Sequence, residues 1–226
     1  MAISKIVRTS VDQQIPRIMS EMQTAADRLR DVGWGVSVFG SARIKPESPY
    51  YALAQAVGAR LAKAGLTLIA GGGPGIMEAA NKGAFEAGGK SVGLNITLPH
   101  ETTHNSYQTH SLHFDFFTSR KATFFMHSAA YIALPGGFGT LDELFEIATL
   151  IQTGKLPPAP IVLMGTSFWA GLIDWMNAQL LHHKLIGPHD LELLTVSDDI
   201  DLVMDQIETF FHAYTEQMDC APVLPQ

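Results

Sequence analysis

The chain has 226 residues and a formal net charge of -7, from 15 basic and 22 acidic residues. Apolar residues make up 46% and charged residues 16%, which excludes a mainly disordered chain, and the acidic balance argues against non-specific nucleic-acid binding. A single cysteine, Cys220, excludes an intrachain disulfide and fits a reducing, cytoplasmic setting.

The first ten residues carry Lys5 and Arg8 but no apolar core of a secretory signal. Pro16 is expected to open an N-terminal helix, with Ile18, Met19, Met22, Ala26 and Leu29 at helical spacing. Residues 1–31 then read as a helical addition to the domain that follows. Five short apolar runs come next, at 35–39, 66–70, 91–96, 130–134 and 160–164. They are nearly continuous rather than alternating, as in strands of a parallel sheet buried on both faces. The run at 113–117 alternates and reads as an edge strand, and 193–196 is a weaker strand candidate. Between the runs lie helical patterns. Ser48-Pro49 offers an N-cap and a first-turn proline, and Gly65 a stop. Leu144, Ile147, Ala148 and Ile151 repeat within 140–153. Ser197-Asp-Asp caps a last helix, and 221–226 reads as a frayed tail. The greasy stretch 161–176 is short for a membrane span and contains Asp174. Strands alternating with helices indicate one α/β domain over 1–226, a Rossmann-like doubly wound parallel sheet with helices on both faces.

In such sheets a ligand lies past the carboxyl ends of the strands. Three of those ends are unusual: Phe39-Gly-Ser-Ala-Arg43, Ala70-Gly-Gly-Gly-Pro-Gly75 and Leu134-Pro-Gly-Gly-Phe-Gly-Thr140. A glycine loop entering a helix aims free N–H groups and the positive helix end at an anion. Ser41, Gly72, Gly73, Gly136, Gly137, Gly139 and Thr140 are therefore candidate contacts to a phosphorylated ligand. The triple glycine also reads as a tight turn, and it lacks both the dinucleotide fingerprint and the P-loop ending. Glu143, one turn into the helix, reads either as a functional carboxylate or as a capping-box residue returning to Thr140. Arg120 and Lys121 begin a helix and read as phosphate-neutralising cations or as a solvated pair. His110, His113, His104 and Glu101 match no zinc or iron spacing, so no metal is expected.

Pro135-Gly-Gly-Phe-Gly-Thr-Leu-Asp-Glu143 resembles the P-G-G-x-G-T-x-x-E signature of the LONELY GUY (LOG) proteins, cytokinin riboside monophosphate phosphoribohydrolases once labelled possible lysine decarboxylases. Gly71-Gly-Gly-Pro-Gly-Ile-Met-Glu78, Pro99-His-Glu101 and Arg120-Lys121 agree, so the resemblance runs from about 35 to 195. It implies a nucleoside 5′-monophosphate substrate, such as AMP or an N6-modified AMP, cut to free base and ribose 5-phosphate without a cofactor. It implies Arg120 and Glu143 as the catalytic pair, and substrate contacts at Glu101, Lys121, the 137–143 loop and Thr149. It also implies a site built at a dimer interface, hence a homodimer or a larger homo-oligomer. Ile76-Met-Glu78 departs from the plant-like pattern and is similar to a second, mostly bacterial subgroup. The base preference is therefore open between a prenylated adenine and plain AMP. Two other classes stand beside this one. A decarboxylase would need pyridoxal phosphate on Lys82 or Lys121, neither of which has supporting context. A nucleotide or molybdenum-cofactor carrier of related fold would not need the Arg120 and Glu143 pair.

Overall fold

Seven parallel strands form one sheet in the order β4-β3-β2-β1-β5-β6-β7, with helices on both faces. The computed structural model describes residues 11–98 and 104–220, with side chains through 216. Residues 1–10, Glu101, the Cys220 side chain and the expected tail at 221–226 lie outside the described residues.

The strands are β1 (Gly35–Phe39), β2 (Thr67–Ala70), β3 (Ser91–Ile96), β4 (His110–Phe114), β5 (Ser128–Ala133), β6 (Ile161–Leu163) and β7 (Leu194–Val196). The helices are α1 (Val11–Arg28), α2 (Pro49–Lys63), α3 (Ile76–Glu86), α4 (Phe117–His127), α5 (Phe138–Gln152), α6 (Thr166–Trp175), α7 (Pro188–Leu191) and α8 (Ile200–Cys220). A π-helical turn, Met176–Leu181, continues α6.

The continuous apolar runs have a simple cause. Val36, Val38, Leu68, Ala70, Ile132 and Val162 face one core layer, packed with Leu61 of α2, Ile76 of α3 and Ile207 of α8. Their neighbours Phe39, Ile69, Tyr131, Ala133, Ile161 and Leu163 face the other, with Leu29, just past the end of α1, Phe124 of α4, Leu144 of α5 and Trp169 of α6. Both faces of each central strand are dry, so both alternating sets are mostly apolar, and buried polar members such as Ser37 and Thr67 are hydrogen-bonded, to Ser128 and to the Val32 carbonyl. On the first face α2 and α3 meet backbone to backbone. A Cβ on Gly83 would lie 1.9 Å from the Gln55 carbonyl oxygen, and one on Gly58 would lie 2.1 Å from that of Ala80.

Local signals behave as their chemistry dictates. The Ser48 hydroxyl accepts from the Tyr50 N–H and Pro49 takes the first turn of α2. Gly65 follows α2 with φ +74. The acidic pair before α8 divides its work. Asp199 accepts from the N–H groups of Asp201 and Leu202, whereas Asp198 reaches across to those of Gly165 and Thr166 and so caps α6.

Most boundaries fall within two residues of the sequence expectation, and two elements depart further. The edge strand is β4, three residues earlier than the alternating run, because His110 to Phe114 pair with Val92 to Ile96 and Phe117 already begins α4. An edge strand tolerates polar side chains such as His110 and Ser111, which hide it from a hydrophobic reading. Pro16 lies inside α1 rather than at its start. It sits early enough to cost one backbone hydrogen bond, and the helix runs through it.

Candidate functional site

The strand order reverses between β1 and β5, and the carboxyl ends there open on a cavity of about 850 Å³. Ser41 stitches its rim together. Its N–H donates to the Pro135 carbonyl, and its own carbonyl accepts from the Ile76 N–H at the start of α3. All three glycine-bearing loops are thereby held around one space.

The loop after β2 is clamped from behind by amides. The Gly72 carbonyl accepts from the Asn105 N–H at 2.9 Å and from Gln108 Nε2 at 3.1 Å, and the Gly73 carbonyl accepts from Asn105 Nδ2. Gly72 has φ +76, and a Cβ there would lie 2.0 Å from Asn95 Oδ1. Only glycine fits both the conformation and the space.

Arg120 enters from the first turn of α4 and is 7% exposed. Nε donates to the Leu94 carbonyl at 2.7 Å and Nη2 to the Gly71 carbonyl at 3.3 Å, while the guanidinium lies over the Phe124 ring. A Cβ on Gly71 would lie 2.4 Å from Nη2. The remaining nitrogen, Nη1, faces Glu143 Oε1 at 3.8 Å. Glu143 is on α5, 13% exposed at the side chain. Burial pushes its carboxyl up to about 7, against the opposing pull of Arg120. Burial also lowers the hold of Arg120 on its proton, and Glu143 opposes that.

Helix α5 starts at N-cap Gly137 with no side chain capping it. Its first N–H groups therefore lack intrahelical acceptors and point into the cavity mouth with the positive end of the helix. The capping-box reading of Glu143 with Thr140 does not describe this helix, since the cap position is Gly137 and Glu143 turns to Arg120. Thr140 is buried and lines the cavity beside Gly136, Gly137 and Gly139.

Of the expected contacts, Ser41, Gly73, Arg120, Lys121, Gly136, Gly137, Gly139, Thr140 and Glu143 share this cavity. Gly72 lies behind the wall as a structural turn. Thr149 lines an adjoining groove of about 570 Å³ with Phe145 and Leu150, and its hydroxyl donates to the Phe145 carbonyl. Lys121 lies between the two spaces. Its Nζ is 3.0 Å from Asp142 and 2.6 Å from Glu146, and these carboxylates keep its ammonium charged despite partial burial. The wall also contains Asn95, His104, Phe117, Phe138 and Phe168. Phe138 had a visible signal, an apolar residue between glycines, and it is 92% exposed. Asn95 had none, being one polar residue in an apolar run. Among the described residues no three His, Cys, Asp or Glu side chains converge as a metal site would require.

Residues 77–207 match the family model described as possible lysine decarboxylase. The cytokinin riboside 5′-monophosphate phosphoribohydrolase of Mycobacterium tuberculosis is 33% identical over 176 residues, spanning 74% of this chain and 89% of that protein.

The chain belongs to the LOG family.

A relative from rice, a probable cytokinin riboside 5′-monophosphate phosphoribohydrolase, is 27% identical over 77% of this chain and 72% of its own length. The LOG-like fold extends to a molybdenum cofactor carrier protein of Chlamydomonas reinhardtii. That structure aligns with a TM-score of 0.59 at 22% identity over 79% of this chain and 98% of the carrier. No described helix is long and apolar enough to cross a membrane.

Proposed function

We propose that this LOG-family chain is a nucleoside 5′-monophosphate phosphoribohydrolase. It would hydrolyse the N-glycosidic bond of AMP, or of AMP carrying an N6 substituent, to free base and ribose 5-phosphate. The observation that carries the reading is the buried Arg120 and Glu143 pair at the mouth of the uncapped α5 N-terminus. A carrier has no use for an ion pair that costs desolvation. The relatives named as phosphoribohydrolases support the same class.

The 5′-phosphate is received by the N–H groups of the first α5 turn and by the Thr140 hydroxyl. Breaking the C1′–N9 bond builds positive charge on the ribose, as in glycoside hydrolysis. The Glu143 carboxylate stabilises that charge and takes a proton from the attacking water. A carboxyl poised near 7 suits a base working at neutral pH. Arg120 stays charged, so it steadies the electrons left on N9 of the departing base, which takes its proton from solvent water while Glu143 returns its own to solvent. The protein would work as a homo-oligomer, with a second copy covering the groove that holds Phe145 and Thr149.

The test is a release assay. Pure protein is incubated with AMP and with isopentenyladenosine monophosphate, and free base and ribose 5-phosphate are separated by chromatography. Release from either supports the reading, and Glu143→Gln should then lower kcat by about 10²–10⁴-fold while AMP still binds. Binding of AMP without release from either compound would favour the carrier class instead.

A further inference from the structure

We infer that Glu21, on the N-terminal helix α1, is a positioning residue that sets Arg120 against Glu143. The inference rests on the phosphoribohydrolase reading for its kinetic consequence, though not for its geometry.

The entry to α4 has no cap of its own, since the N-cap residue Phe116 offers no side-chain acceptor. A carboxylate from 94 residues before Asp115 braces this entry from outside instead, through the backbone just before the cap and a side chain of the first turn. One oxygen of Glu21 accepts from the Asp115 N–H at 2.9 Å, and the other accepts from the Ser119 hydroxyl. A carboxylate at this end of a helix is stabilised by the positive end of its dipole. Arg17, one turn earlier on α1, pairs with the Asp115 carboxylate and lies over the Phe116 ring at 5.0 Å. Beyond Glu21, Ala25 and Leu29 are buried in the same core layer as Phe124 of α4. Helix α1 is therefore joined to α4 along its length.

Ser119 is wholly buried and is the residue immediately before Arg120. Its hydroxyl, directed to Glu21 and to the Phe116 carbonyl, fixes the first turn of α4 about its axis. That turn decides where the Arg120 side chain leaves the helix. The guanidinium has little slack, because two carbonyls and one ring hold it. A small rotation of the turn would be felt at the 3.8 Å gap to Glu143.

The experiment compares wild type, Glu21→Ala and Glu21→Gln by two readouts. The first needs no activity: the Arg120 Nε–H proton resonance, held by the Leu94 carbonyl, followed by NMR. It should be slow to exchange in wild type and Glu21→Gln and lost to exchange in Glu21→Ala. Glutamine can still accept from the Asp115 N–H and donate to the Ser119 oxygen. The second is steady-state release of adenine from AMP. Glu21→Ala should lower kcat about 10- to 100-fold, as expected for a misplaced group, with KM nearly unchanged, and Glu21→Gln should restore most of it. The acid limb of the rate profile should also move to higher pH in Glu21→Ala. With Arg120 displaced, burial, Asp142 and Glu146 raise the Glu143 carboxyl, and only Lys121 opposes them.

An unchanged Arg120 signal in Glu21→Ala overturns the inference. So does a lower melting temperature with wild-type kcat per folded molecule, which would mark a purely structural contact. If wild type releases no base at all, the phosphoribohydrolase reading fails, and the NMR signal alone decides the role of Glu21.

Discussion

Glu143 shows how one buried carboxylate ties chemistry to stability. Its carboxyl rises from 4.5 to about 7 on folding, chiefly through burial. The folded state therefore holds a proton that the unfolded chain has already released. That contribution is fully present below the unfolded value and is lost as pH rises through 7. Wild type should lose on the order of 2–3 kcal/mol between about pH 5 and pH 8. Glu143→Gln should flatten this slope in thermal melts across the same range. The same ionisation should appear in catalysis with the opposite sign. The base form does the work, so kcat/KM for AMP should rise with pH through about 7. A melt of Glu143→Gln as steep as wild type would show that the carboxyl is not the group titrating.

Among the elements, α2 and α3 lie so close that glycine is required at their crossing. Gly83→Ala would place a methyl group 1.9 Å from the Gln55 carbonyl oxygen, and backbone there cannot yield as a flexible side chain would. We expect a cost of about 1–3 kcal/mol from overpacking, seen as a melting temperature several degrees lower. Because α3 begins at the Ser41 carbonyl, AMP affinity should weaken as well. These contacts also mark where the sequence was legible. The strands at 35–39 and 91–96 could be read to the residue, because a strand dry on both faces is mostly apolar and its few polar residues, Ser37, Ser91 and Asn95, do not break the run. Helix α2 was legible from Ser48, Pro49 and Gly65, whose backbone chemistry is local. The edge strand β4 was displaced by three residues, since pairing with β3 is not written in its own polarity. The site followed the same division. Ser41, Arg120, Thr140 and Glu143 stand beside strand ends and glycines, which the sequence displays, and the fold gathers them around one cavity. Asn95, His104 and Glu21 reach their places only through contacts made by folding, and no spacing announces them.

At the scale of the whole molecule, the apolar groove on α5 exposes what a monomer would be expected to bury. Phe138 and Phe145 are exposed on its flank, next to Leu141 and Leu150. Self-association through this face is the proposal, and Phe145→Asp should break it. Sedimentation velocity should then show a smaller species, with circular dichroism unchanged and turnover reduced if a second copy completes the site. A wild type that sediments as a monomer at all concentrations would end the idea. Phe145 lies outside the cavity that holds Arg120 and Glu143, so its loss tests the groove without touching that pair.

All seven strands run in one direction, and this divides the molecule into two poles with different tolerance for change. The loops leaving the carboxyl ends of β1, β2 and β5 line the ligand space, so an insertion there rewrites recognition. The loops entering the strands from below, such as those at 64–66 and 154–160, touch none of the residues assigned to chemistry. A lineage, or an engineer, can lengthen them or graft onto them while the reaction is conserved. Diversity among close relatives of this chain should therefore accumulate at the lower pole as drift, and at the upper pole only when the substrate changes.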